Sequence, residues 1–249
     1  MTGKIVKQSH MFQQISELLV VKEHDMPPDS EGRTRASVAM ILCQAQDDPE
    51  MLFIQRAADA NDPWSGHIAF PGGKQEEGEL VCQTARRETR EEIGIDLEMG
   101  RFLGRLSDIV GANLPVRVSC CLFVVDQATC VPELSGEVSD VFWVRLSDLR
   151  DRTRHIQSNV AFDDRKFEVP AFRLPCVGKP VLWGITYRLV MQFLELLDYV
   201  DRGVAHSEEY GTLPESIQLY EEDNRRNSSL RKKCDQHNFP PPQKVSVPP

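Results

Sequence analysis

The chain has 249 residues, 41% of them hydrophobic and 27% charged, and carries a formal net charge of −9. These values fit a folded protein with one sizeable core plus extensions, and exclude a fibrous or wholly disordered chain. The acidic balance disfavours general nucleic-acid binding, which draws on a basic surface.

Met11 to Val21 places apolar residues at helical spacing and predicts an amphipathic N-terminal helix, followed by a polar, Pro-containing linker from Glu23 to Arg35. Ala36 to Cys43 and Met51 to Gln55 read as two strands joined around the polar QAQDDPE turn, and Ile68 to Phe70 as a short third strand. Leu80 to Ile93 lacks Gly and Pro and predicts a helix closed by Gly94. Phe102 to Asp108, Arg117 to Asp126, Val138 to Val144 and Phe167 to Arg173 predict further strands, with a helical turn at Ser147 to Arg150. Leu182 to Val200 predicts a long closing helix with Leu, Met and Phe at core positions. From about Ala205 the chain turns polar, with too little apolar content to bury a core. The domain reading is therefore an N-terminal helix and linker over 1–34, one domain over 35–204 and a polar tail over 205–249. The order of elements predicts an α/β (α+β) fold with a mixed β-sheet between helices.

Seven cysteines show no CxxC spacing, which points to reduced core residues rather than a zinc site or a disulfide framework. No apolar run approaches a membrane span, and MTGKIVKQSHMFQQ lacks the apolar stretch of a secretory signal. The expected location is cytoplasmic.

The stretch Gly73 to Ile95, GGKQEEGELVCQTARRETREEIGI when Gly72 is included, carries the chemistry. On a helix, Glu88, Glu91 and Glu92 stand at i, i+3 and i+4, so three carboxylates share one face. A hard divalent cation relieves their repulsion, and Mg²⁺ binds through a few carboxylates plus waters and substrate phosphates. Val81, Ala85 and Thr89 form a row toward the core, where the Thr89 hydroxyl can bond back to the Ala85 carbonyl. Arg87 stands one turn before Glu91 and can pair with it or with Glu79. Taken alone, RRETREE reads as a solvated, salt-bridged helix face. Its placement after a Gly-Gly loop and before Gly94 argues for the metal reading.

Gly73, Glu79, Arg87, Glu88, Glu91, Glu92 and Gly94 together match the fixed letters of the Nudix box, G-x5-E-x7-R-E-U-x-E-E-x-G-U, and the segment is identified by that resemblance. Such a coincidence arises by chance on the order of once in 10⁸ start positions. One departure is Thr89 at the first bulky apolar position, while Ile95 fits the second. The resemblance covers roughly Arg35 to Arg202 and implies a Nudix-like α/β/α sandwich. It further implies hydrolysis of a nucleoside diphosphate linked to another moiety, with Mg²⁺ or Mn²⁺ as cofactor. By the same resemblance, Glu88, Glu91 and Glu92 are metal ligands, Glu79 is an additional or supporting ligand, and Arg87, Glu88 and Glu91 are catalytic. The general base is either a box glutamate or a later-loop glutamate, for which Glu137 is the candidate; its bland alternative is a surface loop residue.

Upstream, LFIQRAADANDPWSGHIAFPGG is similar to the segment that marks coenzyme A pyrophosphatases. Arg56-Ala57, Gly66 and Phe70-Pro71-Gly72-Gly73 are in place, whereas the second Arg is absent near Asn61 and the spacing to Gly66 is one residue longer. The WGITYR stretch, Trp183 to Arg188, is similar to the corresponding part of that subgroup. Arg56, His67, Gly72 and Gly73 are the expected substrate-binding residues, with Trp64 beside them; loop packing is the competing reading for Trp64 and His67. The expected partner is a nucleotide small molecule, with no membrane partner and a homodimer left open. Alternative substrates are ADP-ribose, NADH, dinucleotide polyphosphates and oxidised nucleoside triphosphates. A non-catalytic nucleotide-binding module is the alternative of a different class.

Overall fold

The computed structural model describes residues 2–19, 32–45, 48–60, 62, 64–111, 115–162 and 165–202. The expected polar tail, most of the linker and Asn61 lie outside them. Four helices and ten strands follow in chain order among these residues. They are α1 (Thr2–Leu18), β1 (Thr34–Cys43), β2 (Glu50–Arg56), β3 (Ile68–Ala69), β4 (Gly72–Lys74), α2 (Val81–Ile93), β5 (Arg101–Val110) and β6 (Val116–Val125). Then come β7 (Val138–Arg145), α3 (Leu146–Arg150), β8 (His155–Phe162), β9 (Arg165–Phe172), β10 (Leu182–Trp183) and α4 (Gly184–Asp201).

β1 and β6 run parallel at the centre of a seven-stranded sheet, in register from Thr34↔Val116 to Cys43↔Val125. Parallel neighbours need a long crossover, and the chain between them supplies β2, β3, β4, α2 and β5. The main sheet order is β3-β2-β1-β6-β5, with β4 antiparallel to β1 and β7 antiparallel to β2. Side-chain alternation then sorts the core into two layers. Ala39, Ile41, Cys43, Cys121 and Phe123 pack with Val81, Ala85 and Ile93 of α2 on one face. Met40, Leu42, Cys120 and Leu122 pack with Phe12 and Ile15 of α1 and Leu189, Val190, Phe193 and Leu197 of α4 on the other. The result is the expected helix–sheet–helix sandwich, and no helix among the described residues is long and apolar enough to cross a membrane.

Several boundaries differ from the sequence expectation. The N-terminal helix spans Thr2–Leu18 rather than beginning at Met11, and Leu19 already leaves it. Leu182 and Trp183 pair with Phe172 and Ala171 as β10, so the last helix begins at Gly184. β4 was not expected, because Gly72-Gly73 carries no strand propensity; its partner Ala36–Val38 makes it a strand. β8 was also missed, since HIQSNVAF mixes polar and apolar residues and acquires its shape from the hairpin with β9. Of the cysteines, Cys43, Cys82, Cys120 and Cys121 are buried as expected, whereas Cys130 and Cys176 are only half-buried.

Thr89 is fully buried, and its hydroxyl donates to the Ala85 carbonyl at 2.7 Å. Valine keeps the same branched shape and leaves that carbonyl its helical bond. Thr89→Val should therefore change turnover by less than about twofold and cost under about 1 kcal/mol, read by steady-state rates and thermal melting. A large activity loss would assign the hydroxyl a catalytic duty.

Candidate active site

The site is assembled by three neighbouring pieces, the β4 glycines, helix α2 and the loop leading into β7. α2 begins where Gln83 turns its amide oxygen back to accept from the Leu80 N–H at 2.8 Å, and ends at Gly94, left-handed at φ 69. Gly94 donates to the Arg90 carbonyl at 3.0 Å, as expected of a helix-closing glycine.

Arg87 is the hub. Its Nε and Nη2 donate to the two oxygens of Glu79 at 2.7 and 3.1 Å, a two-pronged pair. Its Nη1 donates to Glu88 at 2.9 Å and Glu91 at 3.0 Å, and Nη2 also reaches the Lys74 carbonyl at 3.1 Å. The Arg87–Glu79 bond, with the Glu76 N–H and the Thr84 hydroxyl, holds the Glu79 carboxyl down to about 2. Glu79 therefore stabilises the fold above its unfolded value of about 4.5, and that contribution is lost only as pH falls toward 2. Arg87→Lys leaves one ammonium where five donors stood, so turnover should fall by about tenfold or more and Glu79 should titrate closer to its ordinary value. Carboxyl NMR titration alongside kinetics checks both, and an unchanged Glu79 titration would contradict the hub.

Glu92 is buried against β4, where its Oε2 accepts from the Gly72 N–H at 2.9 Å and its Oε1 lies 3.8 Å from Arg56 Nη1. Burial pushes the Glu92 carboxyl up to about 7, against the opposing pull of Gly72 and Arg56, while Glu88 and Glu137 add repulsion. Burial also raises Glu88, which Glu91 and Glu137 reinforce against Arg87. The Glu88 carboxylate lies against Gly73, where any Cβ would fall 2.5 Å from it. Glu91 is the most exposed of the three and turns to Arg87.

These are all hard oxygen donors in a locally acidic setting, and the raised Glu88 and Glu92 are what a bound divalent cation would relieve. The donor set fits a cation held by a few carboxylates and completed by water and phosphate. Among the described residues no group of three His, Cys, Asp or Glu is already arranged to hold an ion by protein alone. Glu137 is exposed, with its N–H on Ser135 Oγ at 3.2 Å, yet close enough for its charge to raise both Glu88 and Glu92. The later-loop candidate and the box glutamates therefore share one neighbourhood.

Of the expected substrate-binding residues, Arg56 ends β2, His67 stands just before β3, and Gly72 and Gly73 lie in β4. Arg56 directs its Nε to Asp62 at 2.7 Å, and Asp62 also accepts from the Trp64 N–H at 3.0 Å. The His67 carbonyl accepts from the Arg56 N–H at 3.0 Å, and its ring packs edge-on to Trp183, with ring centroids 5.1 Å apart. Burial lowers its pKa below the ordinary imidazole value, which favours the neutral ring. Gly72 and Gly73 present their backbones to Glu92 and Glu88, where a substrate or metal was expected. Sequence reasoning missed Asp62, which aims Arg56, and Lys179, whose ammonium reaches Gln55 Oε1 at 2.7 Å and also Asp140. Asp62 stood only six residues from Arg56 and could have been suspected; Lys179 joins β2 from 124 positions away, with no local signal.

Comparison with known proteins places these residues in a wider group. A model of the NUDIX domain matches residues 33–164, more than half of the chain. An uncharacterized protein of Schizosaccharomyces pombe is 36% identical over 142 residues, 46% of this chain and 42% of that protein's own length. Nudix hydrolase 3 of Caenorhabditis elegans is 24% identical over 211 residues, covering 79% of this chain and 86% of that protein. Mitochondrial coenzyme A diphosphatase NUDT8 of Homo sapiens is 27% identical over 166 residues, covering 65% of this chain and 69% of that protein.

Proposed function

The chain belongs to the Nudix hydrolase family, and from that premise we propose that it cleaves the pyrophosphate bond of coenzyme A or a close derivative with the help of Mg²⁺ or Mn²⁺. The observation that carries the hydrolytic reading is the hub in which Arg87 holds Glu79, Glu88 and Glu91 beside the buried Glu92. The coenzyme A assignment is supported by likeness to the human coenzyme A diphosphatase and by Arg56, Gly66 and Phe70-Pro71-Gly72-Gly73 in sequence.

Nudix hydrolases generally need divalent metal ions, and Glu88, Glu91 and Glu92, with Glu79 in support, would hold them here. A bound ion would neutralise charge developing on the phosphoryl oxygens and acidify water for attack on phosphorus. Arg87 limits the swing of Glu88 and Glu91, because both accept from the same nitrogen. Gly72 fixes one Glu92 oxygen and leaves the other toward Arg56. Asp62 engages the Nε of Arg56, so the terminal nitrogens of that guanidinium can meet a phosphate oxygen. Glu137, exposed on the approach to β7, takes the proton of the attacking water. A cytoplasmic location belongs to the same proposal, and fractionation decides it.

The test is product analysis by mass spectrometry with coenzyme A, ADP-ribose, NADH, diadenosine polyphosphates and oxidised nucleoside triphosphates, each with Mg²⁺, Mn²⁺ or chelator. Metal-dependent release of 4′-phosphopantetheine and 3′,5′-ADP from coenzyme A is the expected result. Cleavage of another substrate alone keeps the hydrolase and rejects coenzyme A. Tight nucleotide binding with no metal-stimulated turnover would instead make the chain a binding module.

A further inference from the structure

Cys82 in the first turn of α2 and Cys121 in the middle of β6 hold their Sγ atoms 2.6 Å apart. Both side chains are fully buried and lie 39 positions apart in the chain. Non-bonded heavy atoms settle at roughly 3.5–4.0 Å, so the pair stands inside ordinary contact. The Ser37 hydroxyl lies 4.0 Å from the Cys121 sulfur. Among the described residues no group of three His, Cys, Asp or Glu that includes this pair is arranged to hold a metal ion. Cys120 is no rival for Cys82, because strand alternation sends it into the opposite core layer with Met40 and Leu122.

We propose that Cys82 and Cys121 are an oxidisable pair that closes to a disulfide, pinning the first turn of the glutamate-bearing helix to the central sheet. With a peroxide as oxidant, one thiol becomes a sulfenic acid and one water leaves. The second thiol then attacks that sulfur, the S–S bond forms, the S–O bond breaks and a second water leaves. Two thiols and one hydrogen peroxide thus give one disulfide and two waters. Neither sulfur is exposed, so the reaction follows local opening of the first turn of α2. The sulfurs sit within a small adjustment of bonding, and Glu88 lies further along the helix, so turnover of the oxidised form should stay within about twofold of the reduced form. The pair is independent of which substrate the site takes.

The full chain is treated with hydrogen peroxide in buffer and, separately, in urea below its unfolding midpoint, then alkylated with a maleimide and digested without reduction. Mass spectrometry should find a Cys82–Cys121 cross-linked peptide and, before alkylation, an intact mass lower by about 2 Da than the same sample after dithiothreitol. The melting temperature should rise by about 5 °C or more and return on treatment with dithiothreitol. Because Cys120 and Cys121 are adjacent, variants assign the bond. Cys120→Ala should keep the cross-link and the shift, whereas Cys82→Ala, a favourable helix substitution, and Cys121→Ala should each abolish both. Recovery of both Cys82 and Cys121 as maleimide adducts in both arms, oxidation to sulfinic acids without a cross-link, or a cross-link surviving in Cys121→Ala would overturn the proposal.

Discussion

Glu92→Gln is expected to lower kcat by on the order of 10²-fold while leaving the protein folded, because a neutral amide is a poor ligand for a hard cation. The amide oxygen can still accept from the Gly72 N–H that holds the carboxylate now. A pH signature separates loss of charge from loss of structure. In the metal-free protein, burial raises the Glu92 carboxyl to about 7 from an unfolded value near 4.5. The folded state therefore binds the proton more tightly, and this contribution is full below about pH 4.5 and fades as pH rises through 7. Glu92→Gln removes that decline, so with chelator present the variant should lose less melting temperature than the parent between pH 5 and about pH 8. Parallel pH profiles, or a variant of undiminished turnover, would remove Glu92 from the proposed cation site.

Gly72→Ala and Gly73→Ala should fail in opposite ways. At Gly72 a Cβ would meet the Ser37 carbonyl oxygen at 2.3 Å and Val38 Cα at 2.6 Å, backbone atoms of the central strand, with φ at 154. Strand β1 cannot retreat without breaking its pairing with β6, so Gly72→Ala should destabilise by about 3 kcal/mol or more. At Gly73 the obstacle is the end of the Glu88 side chain, 2.5 Å from the same virtual atom. That carboxylate can swing aside, so stability should fall by only about 1 kcal/mol, while kcat falls by about tenfold or more as Glu88 leaves its place by Arg87. Denaturant unfolding and steady-state kinetics on the two variants distinguish them. Equal stability losses would mean that Glu88 is as immovable as the strand backbone.

The legible part of the site was the part written on one helix. Glu88, Glu91 and Glu92 share a face because 3.6 residues make a turn, and the Thr89 bond to Ala85 follows from the same period. Arg87 was expected to choose between Glu79 and Glu91, and instead engages both together with Glu88. What could not be read was depth. Of three glutamates on one helical face, Glu92 is buried against Gly72 while Glu91 remains largely exposed, and the sheet edge, which no local pattern specifies, sets that difference. The same limit hid β8, whose residues become a strand only against β9.

The cysteines mark the division most plainly. Spacing offered no pairing for Cys82 and Cys121, and the parallel register of β1 with β6 beneath α2 brings their sulfurs to 2.6 Å. The glutamate-bearing helix, its closing glycine, the carboxylate row and the helix–sheet–helix class were readable in the chain alone, because each follows from short-range periodicity and backbone propensity. Which carboxylate is buried, what aims Arg56 and which thiols meet emerged only on folding, because these depend on loop conformation and on contacts between separate elements.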